Sequence, residues 1–148
     1  MTAVEASIEL PAPPDEVWPV VLDPHRLHEW VTIHRSLGST DSGPPRTGFR
    51  MSQTMTIRGV PVSVSWVLRE CDAPHLARWE GRGPAGARAR IEYRLDPSAN
   101  GTRFVYTNEF SAPMGPLGRI AANALVGGTP EREAHASLEQ LRKLIDAG

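Results

Sequence analysis

The segment VEASIEL alternates: Val4, Ala6 and Ile8 fall on one face and Glu5, Ser7 and Glu9 on the other. That period of two predicts a half-buried strand. Pro11, Pro13 and Pro14 end it, and Asp15 and Glu16 suit the first turn of a helix, where carboxylates meet the positive dipole end. Val17, Val20 and Val21, with either Trp18 or Leu22, then form an apolar face at helical spacing, and Pro19 lies close enough to the start to cost little. The Asp23-Pro24 step stops or kinks this helix, because a residue before proline avoids the α region. HRLHEW follows as a further short turn, with Leu27 and Trp30 on one side. The opening stretch therefore predicts a strand and two short helices at an angle.

Strands follow. VTIHRSL is a candidate second strand, and SGPPRTG reads as a loop. From Phe49 the alternation is clean, with Phe49, Met51, Gln53, Met55 and Ile57 on one face. Val62, Val64, Trp66 and Leu68 repeat the pattern after Gly59 and Pro61. ECDAPH reads as a turn; His75, Ala77 and Trp79 alternate beyond it. GRGPAGA reads as a hairpin loop before Ala89, Ile91, Tyr93 and Leu95. Asn100-Gly101 is a strong hairpin signal before Phe104, Tyr106, Asn108 and Phe110. Short connections make these strands antiparallel neighbours. One face is aromatic and aliphatic, and the other carries Arg, Glu, Ser and Thr, so one face needs a cover.

The C-terminal segment supplies the cover. Leu117, Ile120, Ala121, Ala124 and Leu125 follow a helical period, and so do Ala134, Leu138, Leu141 and Ile145. The two sets keep one phase at about 3.6 residues per turn, which predicts a single helix kinked near Pro130. A true break with Thr129 as N-cap is the alternative. The fold class expected is α+β: a curved antiparallel sheet of about seven strands around a long C-terminal helix, with two short helices after the first strand.

Composition narrows the function. The 148 residues fit a single domain spanning 1–148. A net charge of −1 gives no basic field for nucleic acid. One cysteine, Cys71, leaves no intrachain disulfide or cysteine-based metal cluster. The five histidines show no metal-ligand pairing beyond the short-helix pair His25 and His28, so neither metal nor cofactor is expected. MTAVEASIEL lacks the basic and apolar regions of a secretory leader, and no apolar run reaches the roughly 20 residues of a membrane span. A cytoplasmic monomer or homodimer is the expectation.

The chain resembles the helix-grip fold of the START/Bet v 1-like (SRPBCC) superfamily, in its bacterial polyketide cyclase/dehydrase-like branch. The resemblance rests on PAPPDEVWPVVLDPHRLHEW, on SWVL in a central strand and on GPLGRIAANAL opening the last helix, and it spans essentially the whole chain. It implies a groove between sheet and long helix, closed at one end by the two short helices. HEWVTIHRS also looks like a stretch of a small bacterial subgroup with one member described as the toxin of a toxin–antitoxin pair. Cyclases of the branch carry a cavity-facing arginine in the strand that holds SWV. Counting from Trp66, Glu70 stands at the matching position, and Arg69 is one residue off. A one-residue offset turns a side chain to the other face, so Arg69 is expected in water, and nothing in the sequence asks for a bulge.

The inner face carries isolated polar groups among apolar ones. Gln53, Tyr93, Tyr106 and Asn108 share it with Trp66 and Trp79; Met55 adds an adaptable thioether, and Trp30 closes one end. These eight residues are the candidate ligand-binding set. Buried amides need partners, and in a cavity water or ligand supplies them. The expected partner is a small hydrophobic or aromatic molecule, with a carrier or sensor role. The enzymatic alternative draws on Tyr93, Tyr106, Glu70 or His34 for proton transfer, and requires two of them to converge. A protein-interaction role is the third reading.

Overall fold

The structure is a computed structural model that describes residues 2–57, 59–111 and 129–147. Seven antiparallel strands form one sheet: β1 (Thr2–Leu10), β2 (His34–Thr40), β3 (Arg50–Ile57), β4 (Val60–Asp72), β5 (Leu76–Arg82), β6 (Arg88–Ser98) and β7 (Gly101–Ser111). Their spatial order is β1-β7-β6-β5-β4-β3-β2, so β1 closes one edge beside the last strand and β2 forms the other. Helices α1 (Pro14–Leu22) and α2 (Leu27–Trp30) follow β1, joined by a 3-10 turn at Pro24–Arg26. The C-terminal helix α3 is described from Thr129 to Ala147 and packs on β1 and α2. This is the helix-grip arrangement that the alternation and the helical period predict.

The break at Asp23-Pro24 falls where expected. The Asp23 carboxylate accepts the backbone N–H of His25 at 2.9 Å and so caps the 3-10 turn. In α1 it is Leu22 that completes the buried face with Val17, Val20 and Val21, while Trp18 packs partly exposed against the core. On α3, Ala134, Leu138 and Leu141 are buried and Ile145 lies at the margin of the core. The GPLGRIAANAL stretch, and the question of helix continuity across Gly127–Pro130, lie outside the described residues.

The hairpin at Asn100-Gly101 is tighter than its turn chemistry alone requires. Gly101 has φ of 137°, and a Cβ there would lie 2.5 Å from the carbonyl oxygen of Leu10. The turn is thus packed against the chain leaving β1, where buried Thr102 donates its hydroxyl to the Ala12 carbonyl at 2.7 Å.

Two boundaries and one register differ from the sequence reading. The second strand begins at His34 rather than Val31, because Val31–Ile33 turn out of α2: the Val31 N–H bonds back to Leu27, and the His34 N–H to Val31. The turn read over ECDAPH shrinks to Ala73–His75, since β4 runs on to Asp72. β4 also contains a register shift between Leu68 and Glu70 that the alternation did not call for. The extra residue there is Arg69.

Candidate functional site

Residues paired across antiparallel strands share a face, so the register assembles the inner lining row by row. One row runs Met51, Trp66, Gly81, Ala89 and Phe110; the next runs Leu68, Trp79, Ile91, Asn108 and Val4; a third holds Ala77, Tyr93, Tyr106 and Ala6. The strands therefore turn Gln53, Met55, Trp66, Trp79, Tyr93, Tyr106 and Asn108 to the same side. Trp30 arrives from α2 to meet them, buried to 2% exposure.

Aromatic rings organise the end under α2. Trp30 stands edge-on to Tyr93, at 5.8 Å between ring centroids, and to Phe104 at 6.2 Å. Tyr93 in turn lies 6.0 Å from Tyr106. Trp79 sits apart from this cluster and packs edge-on to Phe49 at 6.3 Å. Such contacts contribute about 0.5–1.5 kcal/mol each beyond their buried area. Burial pushes the Tyr93 hydroxyl far above its ordinary acidity, with Tyr106 adding to the effect. Burial also pushes Tyr106 up to about 12, against the pull of a hydrogen bond from Asn108. Both therefore stay neutral phenols near neutral pH.

Gln53 is the best-tied polar group of the lining. Its Oε1 accepts the Trp66 indole N–H at 2.9 Å, and its Nε2 lies 2.8 Å from His34 Nδ1. His34 pairs with Met55 in the β2–β3 register and so is turned inward too. Sequence reasoning considered His34 for proton transfer but did not place it on this face. The signal is faint, because β2 is irregular: register shifts follow His34 and Leu37. Two other polar atoms are buried with no hydrogen-bond partner among the described residues, Asn108 Oδ1 and Trp30 Nε1. Met55 is half-buried on the same face, on β3.

The cyclase-type position is occupied differently from what simple alternation gives. The bulge at Arg69 turns both Arg69 and Glu70 to the outer face, where Arg69 meets Glu80 at 3.0 Å and Glu70 meets Arg78 at 2.7 Å. Without the extra residue Glu70 would follow Leu68 inward as an unpaired carboxylate, at a large desolvation cost. Cys71 takes the inward place instead and packs against the core. Glu70 and His34 consequently lie on opposite faces of the sheet and cannot act together. Arg78 also bonds Glu92 at 2.8 Å, so the outer face is a ladder of paired charges. A concavity of about 660 Å³ on that face is lined by those same ion pairs.

An inner face this apolar, curved toward a helix and studded with isolated polar groups, defines a helix-grip α+β architecture. The chain belongs to the polyketide cyclase / dehydrase and lipid transport family, whose match covers residues 1–146. Among individual relatives, it is 27% identical over 127 residues to Toxin Rv0910 of Mycobacterium tuberculosis, covering 84% of this chain and 88% of that one. It is also 27% identical over 146 residues to the uncharacterized protein Rv1546 of the same organism, covering 97% and 99%. The crystal structure of TTHA0849 from Thermus thermophilus superposes with a TM-score of 0.75 at 21% identity, covering 99% of this chain and 98% of that one. DynU16, from the dynemicin biosynthetic locus, superposes with a TM-score of 0.66 at 19% identity, covering 97% of this chain and 47% of its own. These structural likenesses concern the fold alone.

Proposed function

We propose that this protein binds a small, uncharged apolar or aromatic molecule between the inner face of the sheet and the C-terminal helix, as a carrier or sensor. The observation that carries the reading is a pair of buried polar atoms without a hydrogen-bond partner among the described residues, Asn108 Oδ1 and Trp30 Nε1, on an otherwise apolar aromatic face. A buried group left without a partner costs about 1–3 kcal/mol. A ligand hydroxyl donating to Asn108, or a ligand oxygen accepting from Trp30, offsets that cost. The described strands bring no Asp, Glu, Lys or Arg to this face, and the two phenols stay neutral, so an ionised ligand group finds no counter-charge there. Membership in a family described by cyclase, dehydrase and lipid transport activities supports the hydrophobic-ligand reading.

Catalysis has less support. Glu70 faces water, and phenols held this far above their ordinary acidity donate hydrogen bonds but are poor bases. The protein-partner reading raised by the toxin-named relatives also lacks a surface: among the described residues the exposed large hydrophobic is Val60.

Titration of the purified protein with the uncharged fluorophore N-phenyl-1-naphthylamine tests the proposal, alongside solvent extraction and native mass spectrometry for co-purified ligand. Saturable binding, weakened by Asn108→Leu, is expected. An interior that takes up neither probe nor natural ligand would refute it.

A further inference from the structure

The bonds around Gln53 fix a protonation state. An indole N–H can only donate, so the amide end facing Trp66 must be the oxygen, as observed at 2.9 Å. The other end, Nε2, then faces His34 Nδ1 at 2.8 Å. An amide nitrogen cannot accept, so Nδ1 must, and the neutral imidazole carries its proton on Nε2. The chain His34–Gln53–Trp66 therefore closes with a single sense of donors and acceptors.

We propose that His34 is a positioning residue for the cavity: unprotonated, it holds Gln53 and through it Trp66 in the ligand-accepting arrangement, and its protonation undoes that hold and weakens ligand binding. The inference rests on the ligand-binding reading above. A protonated imidazole presents an N–H at Nδ1, so both neighbours of Gln53 become donors. One amide oxygen cannot serve both ends. Flipping Gln53 satisfies His34 and sets two donors face to face at Trp66; not flipping does the same at His34. Trp66 has little room to escape, because its ring lies across Gly81 at a distance that leaves no space for a Cβ.

The surroundings favour a switch on the acid side of neutrality. Burial holds His34 below its ordinary value of 6.5, and His28 on α2 acts in the same direction. Across the sheet, β3 presents Gln53 and Met55, neither of which titrates. Arg26 and Glu29, near the same helix, are engaged with each other at 2.6 Å. Glu133 of α3 is engaged by Thr32, and Arg35, next along β2, is exposed. No carboxylate is thus left to stabilise the imidazolium among these groups.

Two measurements test this separately. In the first, long-range nitrogen–proton spectra of the ligand-free protein are followed from about pH 8 to about pH 5, the range in which histidine titrates. The Nε2–H tautomer at neutral pH is expected, with the Trp66 indole resonance shifting at the midpoint of the His34 ring. An Nδ1–H tautomer, or an indole resonance that stays still while His34 titrates, overturns the relay. In the second, N-phenyl-1-naphthylamine affinity is expected to fall about tenfold over the same range, equivalent to one unit of linked pKa change. By reciprocity, saturating probe lowers the His34 midpoint by about one unit. His34→Asn keeps an acceptor without a titrating proton, and should bind probe at neutral pH with no acid loss. Wild-type affinity that is flat with pH overturns the gating, and the wild-type curve decides this whether or not the variant folds. A protein that takes up no probe at any pH removes the ligand reading and the gating with it, while the spectra still decide the relay.

Discussion

The Trp66 indole lies over the backbone of Gly81, its partner in the β4–β5 register, so closely that a Cβ on the glycine would come within 2.6 Å of the ring. The same Cβ would lie 2.8 Å from Val64 Cγ1. Gly81 is therefore the seat that lets the indole lie flat and reach Gln53. Gly81→Ala should lower stability by about 1–3 kcal/mol, because overpacking outweighs the smaller gain from a stiffer unfolded chain. The Trp66 indole proton should shift in the same variant. A melting temperature at or above wild type would contradict this account of the glycine.

Asn108 has a different standing from Gln53: beside the hydrogen bond it gives Tyr106, its Oδ1 has no partner among the described residues. Asn108→Leu should change folding stability by less than about 1 kcal/mol, while weakening probe binding by about 1–3 kcal/mol. A melting curve and a binding isotherm on one variant separate the roles. Several degrees lost in melting with full affinity retained would remove Asn108 from the site.

His34 also sets a stability window. Its folded-state pKa is lowered, so the unfolded chain takes up the proton first as pH falls. This contribution is fully present above the unfolded value of 6.5 and is lost as pH drops from there through the folded value. Urea denaturation midpoints should accordingly fall on acidification just below neutrality, and His34→Asn should flatten that slope. An unchanged slope in the variant would assign the effect to other groups.

The limits of the sequence reading follow from the same residues. Faces of β3, β6 and β7 were legible because each alternates without interruption, so Gln53, Tyr93, Tyr106 and Asn108 could be placed on one side. The bulge at Arg69 was not legible. Alternation carries Glu70 inward, and only the ion pairs with Glu80 and Arg78, made across strands, explain why both residues turn out. His34 was equally hidden: it meets Gln53 through an irregular edge strand, 19 positions away in sequence. Periodicity reports which face a residue takes, and says nothing of which polar atoms meet across strands.

The two tyrosines give an alkaline counterpart. Both are raised from the ordinary phenol value of 10, Tyr106 to about 12. Their phenols ionise in the unfolded chain first, so stability is full below that value and declines as pH rises above it. Since the chain has only 2 tyrosines, the near-ultraviolet phenolate band should emerge together with loss of circular dichroism. Phenolate forming in a still-folded protein would show that a tyrosine hydroxyl reaches solvent.

Ser137 joins the helix to the segment that carries Trp30. Its hydroxyl accepts the backbone N–H of Thr32 at 3.1 Å, while the Thr32 hydroxyl bonds Glu133 on the same helix. Ser137 is 9% exposed, whereas the Thr32 side chain lies at the surface. Ser137→Ala removes the acceptor of that backbone donor and should cost about 0.5–1.5 kcal/mol, the net worth of a part-buried hydrogen bond. Thr32→Ala removes the surface bond to Glu133 and the hydroxyl contact with Ser137 that Ser137→Ala removes too, but leaves its N–H on Ser137, so it should cost less than Ser137→Ala, under about 1 kcal/mol. Chemical denaturation of the two variants gives the order directly. Because Trp30 lies two residues before Thr32, Ser137→Ala should also broaden the Trp30 indole resonance, and Thr32→Ala should not. Equal costs in the two variants would mean that the backbone bond to Ser137 does not anchor α2 to α3.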